Sequence, residues 1–269
     1  MSLRDLSLTV ALLLCAANAQ AQTRIDLSVG QLCLPEGYRA VNGKAALLVH
    51  LHGTSERAER AVAESGRPAV VVTVALKGLS RVYSDQFADP AVFRGLLDET
   101  TEQLRRFGVA QAVGVVTVSS FSAGFGGVRE LLKHEDLYQR IDALVMADSI
   151  YAGFTGEPAL RKVDPANMTG FLRFARDAVE RKKSLVITTC EIRPDNYAST
   201  VETADYLLSE LGGKRDAVDE EWQPGWRCTS RYRAGRFQLY SFAGDTGPDH
   251  LKHLYNLGRL LKLATKEKP

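Results

Sequence analysis

The sequence predicts an α/β protein, a three-layer α/β/α sandwich built on a mostly parallel sheet. Six apolar segments rich in β-branched residues are candidate strands: residues 45–53, 69–76, 113–120, 143–148, 184–190 and 237–244. Most of them lack polar–apolar alternation, which is typical of parallel strands buried on both faces. Candidate helices lie between them, over residues 90–108, 170–183, 197–213 and 249–264. Strands and helices that alternate along the chain indicate a parallel sheet covered by helices on both sides.

The composition is that of an ordinary globular protein. The chain has 269 residues, of which 45% are hydrophobic and 25% are charged, and residues 22–269 can form one domain with a substantial core. The formal net charge is only +2, with both signs mixed along the chain, so nothing indicates a nucleic-acid partner. No cysteine or histidine spacing indicates a zinc site, and we expect no metal or cofactor.

The first 21 residues have the pattern of a secretory signal peptide. Arg4 precedes an apolar stretch from about Leu8 to Ala17, and Ala19-Gln20-Ala21 matches a cleavage signal. The apolar stretch is too short for a transmembrane helix. We therefore predict cleavage after Ala21, a periplasmic or secreted protein, and no stable insertion in the membrane.

Three cysteines remain after the predicted cleavage: Cys33, Cys190 and Cys228. An oxidising compartment permits one disulfide and leaves an odd thiol. Cys190 and Cys228 both fall in predicted loops near the end of the sheet, so we hypothesise that they pair. The alternative is that all three are small apolar residues without a common role.

Two segments rich in glycine, proline and charge are predicted as loop insertions. They cover residues 151–169 and 212–236, and they contain Tyr151, Phe154, Trp222 and Trp226. The first segment follows a strand end, where open α/β sheets place their ligand sites. These aromatic side chains either line a substrate cleft, with the tryptophan-containing segment as a lid, or pack on neighbouring helices.

Ser122 is the candidate nucleophile. It follows a valine-rich strand and precedes a helical pattern, with Ser120 and Gly124 as small residues two positions away on either side. A strained strand-to-helix turn that exposes one side chain requires small residues at these two positions. Gly126 and Gly127 lower helix propensity, which indicates a helix that approaches the sheet closely.

A serine nucleophile needs a base and an acid. His250 opens the last helix after the loop "AGDTGPD", so we assign it as the base, whereas His253 one turn later is expected to be structural. Asp148, at the end of the strand "ALVMAD", is our first candidate for the acid. The alternatives are Asp195, in the loop after the next strand, and Glu191. All of them keep the chain order serine, acid, histidine.

The oxyanion hole requires two backbone N–H groups aimed at the developing negative charge. One is expected from Ala123, the residue after the nucleophile. The second is expected from the loop after the first long strand, "LHGT", in which Gly53 lets the backbone turn inward. Thr54 is the candidate.

These motifs resemble the α/β-hydrolase superfamily. The resemblance rests on "LHGT", "SFSAG" and "GPDH", in this order, and extends from about Ala45 to Lys262. It implies a sheet of about eight strands and a serine–acid–histidine triad without a required cofactor; the acid most often follows the strand that here ends at Cys190. We expect an exported serine hydrolase acting on a small-molecule or polymeric ester. Alternatives are an inactive binding protein, an acyltransferase or a peptidase.

Overall fold

The computed structural model describes residues 23–264, apart from the side chain of Pro158. The predicted signal peptide, residues 1–21, lies outside the described residues. The described chain contains one ten-stranded sheet. Its strands in chain order are β1 Thr23–Asp26, β2 Gln31–Leu34, β3 Lys44–Leu51, β4 Val70–Val74, β5 Ala112–Phe121, β6 Ala143–Ala147, β7 Ser184–Thr189, β8 Asp216–Gln223, β9 Trp226–Ala234 and β10 Phe237–Phe242.

Nine α-helices connect and cover these strands within residues 23–264. They are α1 Ser55–Ser65, α2 Ser80–Phe87, α3 Pro90–Arg106, α4 Phe125–Leu131, α5 Glu135–Arg140, α6 Pro165–Val179, α7 Thr200–Leu211, α8 Gly247–Tyr255 and α9 Leu257–Leu263. None of these helices is long and apolar enough to cross a bilayer.

The sheet has six parallel strands at its centre and two antiparallel strands at each edge. Its strand order is β1-β2-β4-β3-β5-β6-β7-β10-β9-β8, and the pairings from β4 to β10 in this order are all parallel. The two faces have separate cores: Leu47, Val49 and Leu51 pack with α2 to α7, whereas Leu48 packs with α1, α8 and α9. The predicted three-layer α/β/α sandwich on a mostly parallel sheet is thereby confirmed.

All six predicted strands are present, but the strand count of about eight is too low. The missed strands β1, β2, β8 and β9 lie at the edges, where a strand can be short or polar and still form its ladder. The loop prediction for residues 212–236 is wrong because β8 and β9 form an antiparallel hairpin there. β8 carries charged residues on both faces, so its sequence has no apolar run to signal a strand.

The predicted helices hold with shifted boundaries. The helix predicted over residues 170–183 begins at Pro165, where Asp164 caps its first turn. The helix predicted over residues 249–264 is two helices, because α8 ends at Tyr255 and α9 begins at Leu257. Asn256 has a φ of −103° and ψ of 15° at this junction, outside the α-helical range.

The two glycines of α4 allow close packing, as expected, though one approaches a helix and not the sheet. A Cβ on Gly126 would lie 2.2 Å from the carbonyl oxygen of Ser80 in α2, and one on Gly127 would lie 2.9 Å from Leu51 of β3. A carbonyl oxygen in a packed helix cannot move aside like the end of a flexible side chain. Position 126 therefore requires glycine, because the backbone of α2 leaves no room for a Cβ there.

We expect Gly126→Ala to lower the free energy of unfolding by about 1–3 kcal/mol, because the added methyl forces α2 and α4 apart. Gly95→Ala is the matched control: Gly95 lies in α3, and a Cβ there would meet nothing within 4 Å. Alanine should raise stability at position 95 by about 0.5–1 kcal/mol. Urea unfolding of both variants checks this, and equal effects would contradict the packing argument.

Candidate active site

Ser122 lies on a sharp turn between β5 and α4. β5 ends at Phe121, and Ser122 has a φ of 47°, a left-handed conformation that is uncommon for a residue with a side chain. A Cβ on Gly124 would lie 2.4 Å from the carbonyl oxygen of Leu51 in the neighbouring strand. The small residue two positions after Ser122 is therefore required by direct backbone contact.

Ser120, the small residue two positions before, has a hydrogen-bonding role that glycine could not supply. Its Oγ lies 2.7 Å from the Oγ of Ser149, and the Ser149 hydroxyl donates to the carbonyl oxygen of Ser122 at 2.8 Å. Ser120 and Ser149 are both fully buried. The two serines thus link the loop after β6 to the turn, and Ser149 restrains the backbone of Ser122.

Asp148 follows β6 directly and is fully buried. Its Oδ1 accepts from the backbone N–H of Cys190 at 3.0 Å and from the Thr200 hydroxyl at 2.5 Å. Its Oδ2 accepts from the Cys190 thiol at 2.7 Å and from Nδ1 of His250 at 2.6 Å. Four donors from three parts of the chain thus compensate a buried carboxylate, which would be costly without them.

The balance of these interactions keeps Asp148 ionised. Burial raises the pKa of this carboxyl, but the hydrogen bond from His250, the nearby imidazole charges and the Cys190 thiol lower it to about 2. An ionised carboxylate only accepts hydrogen bonds, so Nδ1 of His250 is the donor. The other ring nitrogen, Nε2, is then an acceptor available for a proton.

The His250 ring lies beside the turn that carries Ser122. It stacks on Phe121, the residue before Ser122, with ring centroids 4.4 Å apart and planes 29° apart. Among residues 23–264 no hydrogen bond joins Ser122 to His250. Such bonds are often long in unliganded sites and tighten only in a substrate complex. The contact with Phe121 therefore places the His250 ring next to the residue that precedes Ser122.

The loop after β3 reaches the same edge of the sheet. Leu51 is paired with Ser120 in register, so the residues after Leu51 lie next to the turn at Ser122. The ring of His52 stacks over Phe121 at 6.1 Å. Thr54 caps the N-terminus of α1 and accepts from the N–H of Arg57, so its own N–H precedes the helical hydrogen bonds. Ala123 likewise lies at the start of a helical turn.

Backbone strain marks the carboxyl ends of three adjacent strands. Among the described residues, six other than glycine have a positive φ, and they include His52 after β3, Ser122 after β5 and Asp148 after β6. Such conformations cost of order 1–3 kcal/mol each and persist where the surrounding structure fixes them, often at functional sites. The three strained residues are next to one another across the sheet.

The alternative acids lie elsewhere. Asp195 is exposed, and Glu191 is exposed and accepts a hydrogen bond from the backbone of Gly244. The structure brings only Asp148, of the three carboxylates considered, into contact with His250. His253 is fully buried with Nδ1 2.7 Å from the Thr188 hydroxyl, which fits the structural role expected for it.

The predicted insertions differ in their relation to the site. Tyr151 donates to the backbone carbonyl of Asp148 at 3.3 Å, and its ring contacts both Phe125 and Tyr197. Trp222 and Trp226 instead pack on Phe242 and its neighbours in the core between the sheet and the last helices. The lid interpretation of residues 212–236 is therefore wrong, since this segment is part of the sheet.

The predicted pairing of Cys190 with Cys228 is also wrong. All three cysteines of the described chain are free and buried. The Cys228 thiol donates to the carbonyl of Ser230, whereas the Cys190 thiol donates to Asp148. Sequence reasoning did not assign Cys190 or Thr200 to the site. The position of Cys190 at a strand end next to the candidate acid was the one available signal.

One group in residues 23–264 has donor atoms close enough to share a metal ion. Asp148, Cys190 and His253 each offer one atom within 4.8 Å of the others, and all three are buried. These side chains already have protein partners, since the Cys190 thiol donates to Asp148 and Nδ1 of His253 is bonded to the Thr188 hydroxyl. We therefore assign no ion to it.

Two buried histidines near the site couple stability to pH. Burial lowers the pKa of His253 to about 4, against the opposing charge of Asp148, and burial followed by the charge of His52 lowers the pKa of His50 to about 4. The ordinary value is 6.5. Between these values the unfolded chain binds the protons and the folded chain does not, so stability is complete above pH 6.5 and falls toward pH 4.

We expect His253→Asn to reduce this pH dependence by about one proton, because one titrating group is removed. The measurement is the free energy of urea unfolding at several pH values between 6.5 and 4, compared with the wild-type protein. An equal slope for wild type and His253→Asn would contradict neutral burial of His253.

Comparison with known proteins gives similarity of fold. No protein-family model matches the sequence, and neither does any curated protein. Among solved structures, a cold-adapted esterase from an Arctic intertidal metagenomic library has 10% identity and a TM-score of 0.47, over 91% of this chain and 94% of that chain. The feruloyl esterase module from Clostridium thermocellum has 10% identity and a TM-score of 0.48, over 93% and 92%. An enterobactin and salmochelin hydrolase has 14% identity and a TM-score of 0.45, over 91% and 95%. Identities this low do not transfer a substrate or a mechanism.

Proposed function

We propose that this protein is an exported serine hydrolase that cleaves carboxylic esters through a triad of Ser122, His250 and Asp148. The observation that carries the proposal is the bond from His250 Nδ1 to the buried Asp148 carboxylate, at 2.6 Å, beside the strained turn of Ser122. A histidine oriented by a carboxylate and placed next to a serine on such a turn is the arrangement that activates a hydroxyl.

In the proposed mechanism, the Ser122 Oγ attacks the ester carbonyl carbon while Nε2 of His250 takes the hydroxyl proton. Asp148 accepts from Nδ1 and stabilises the imidazolium that forms. The N–H groups of Ala123 and Thr54 hold the negative oxygen of the tetrahedral intermediate. The alcohol leaves with the proton from His250. Water, activated by the same histidine, then hydrolyses the acyl-enzyme and frees Ser122.

The turn supplies pre-organisation for this chemistry. Ser122 is fixed in its left-handed conformation by contacts on both sides, Gly124 against Leu51 and Ser149 against the Ser122 carbonyl. A nucleophile that is already oriented loses little entropy on reaching the transition state. The strain is therefore consistent with a catalytic serine.

The test is reaction of the folded protein with a fluorophosphonate probe, together with hydrolysis of p-nitrophenyl acetate. We expect a single covalent adduct, located on Ser122 by peptide mass spectrometry, and loss of esterase activity in proportion to labelling. Folded protein that is neither labelled nor active would favour an inactive binding protein on the same fold. Product transferred to an added alcohol in preference to water would favour an acyltransferase, and cleavage of peptides over esters a peptidase.

A further inference from the structure

The Cys190 thiol is a hydrogen-bond donor directed at the candidate acid. It lies at the end of β7, next to β6, and its Sγ is 2.7 Å from Oδ2 of Asp148. Burial raises the pKa of this thiol well above its ordinary value, and the Asp148 charge raises it further. The thiol is therefore protonated wherever Asp148 is ionised, and a protonated thiol facing a carboxylate can only donate to it.

The two oxygens of Asp148 are held differently. Oδ1 accepts from the Cys190 backbone and from Thr200, so two donors fix it. Oδ2 accepts from His250 and from the Cys190 thiol, and within residues 23–264 these are its hydrogen-bond partners. Without the thiol, Oδ2 has His250 alone, and rotation of the carboxylate away from the imidazole is opposed only by the two donors on Oδ1.

We propose that Cys190 is a positioning residue whose S–H group holds Oδ2 of Asp148 in line with Nδ1 of His250. This inference rests on the proposed serine hydrolase function. Cys190 stands at the strand end where the family resemblance led us to expect the acid nearby, whereas the acid comes from β6. The thiol thus anchors an acid supplied by the neighbouring strand.

The surroundings of Cys190 suit a permanent donor. Its side chain is 1% exposed, and reactive cysteines are partly exposed with a lowered pKa. The burial of Cys190 and the raised pKa of its thiol therefore both protect it from oxidation and disulfide exchange in an oxidising compartment. Cys228 is equally buried, but its thiol donates to the Ser230 carbonyl and not to Asp148, so it serves as a matched control.

The experiment measures kcat and KM for p-nitrophenyl acetate, and the rate of fluorophosphonate labelling, for four variants of the mature chain. Cys190→Ala and Cys190→Val remove the donor, Cys190→Ser keeps a hydroxyl donor, and Cys228→Ala removes a buried thiol elsewhere. We expect the donorless variants to lose roughly 10- to 100-fold in kcat and in labelling rate with KM unchanged, the range for a hydrogen bond to a charged group. Serine should restore most of the rate, and Cys228→Ala should match wild type.

Thermal unfolding of each variant distinguishes a loss of positioning from a loss of folding. Alanine and valine differ in size, so a defect in packing at position 190 would not affect both variants equally. Wild-type kcat in either folded donorless variant, or a Cys190→Ser rate as low as that of alanine, would overturn the positioning role while leaving the hydrolase function intact. Wild-type protein that is neither active nor labelled would overturn the proposed function, and this inference with it.

Discussion

Replacing Ser122 with alanine is expected to lower kcat for ester hydrolysis by about 10⁴-fold or more, the loss typical when a serine nucleophile is removed from a triad. The three serine hydroxyls closest to it in the described chain cannot take its place. Ser120 and Ser149 are fully buried and bonded to each other, and Ser119 is bound to the buried His50. The variant should fold normally, because alanine meets the same left-handed backbone constraint as serine.

The matched control is Ser120→Ala, which removes a hydroxyl two residues away and keeps a small side chain. It loses the bond to Ser149 and so weakens one support of the turn, but it leaves Ser122 in place. We expect it to retain most of the wild-type rate. Steady-state hydrolysis of p-nitrophenyl acetate and fluorophosphonate labelling of both variants provide the measurement. Wild-type activity in Ser122→Ala would place the reaction elsewhere in the molecule.

The central part of the fold could be predicted because burial shapes its sequence. A parallel strand covered on both faces must be apolar along its whole length, and the six segments that satisfy this are β3, β4, β5, β6, β7 and β10. The hairpin of β8 and β9 was missed because it extends the edge, where charged side chains meet solvent. The hairpin belongs to the sheet because β9 pairs with β10. The sequence of the hairpin alone does not indicate this pairing.

The same distinction applies to the site. The turn at Ser122 and Gly124 could be predicted because such a turn restricts the residues close to it in sequence. The partners of Asp148 could not, since Cys190 and Thr200 are 42 and 52 positions away. Cys190 meets the carboxylate because β6 and β7 are paired in register directly before Asp148 and Cys190. Thr200 comes from the chain after β7, where Ala198 pairs with Ala152 in the loop after β6. The disulfide hypothesis failed for the same reason: spacing does not reveal where a thiol points.

Asp148→Asn is expected to lower kcat by roughly 10³- to 10⁴-fold, as for loss of the carboxylate in a serine protease triad. The cause is the tautomer of His250. The Cys190 N–H and the Thr200 hydroxyl donate to one oxygen of the side chain, so the amide oxygen of asparagine takes that position. Its NH₂ group then faces Nδ1 of His250, which must become an acceptor. The proton moves to Nε2, where it blocks acceptance of the Ser122 proton.

The control for this variant is Asp195→Asn, because Asp195 is exposed and lies in the loop after β7. It should retain wild-type kcat. The pKa of Asp148, lowered to about 2 by its hydrogen bonds against the effect of burial, predicts a further difference: its protonation should not limit wild-type activity at any pH where the fold is stable. A large loss in Asp195→Asn with little change in Asp148→Asn would mean that the loop after β7 supplies the acid in the working enzyme, and that the bond between His250 and Asp148 serves the fold.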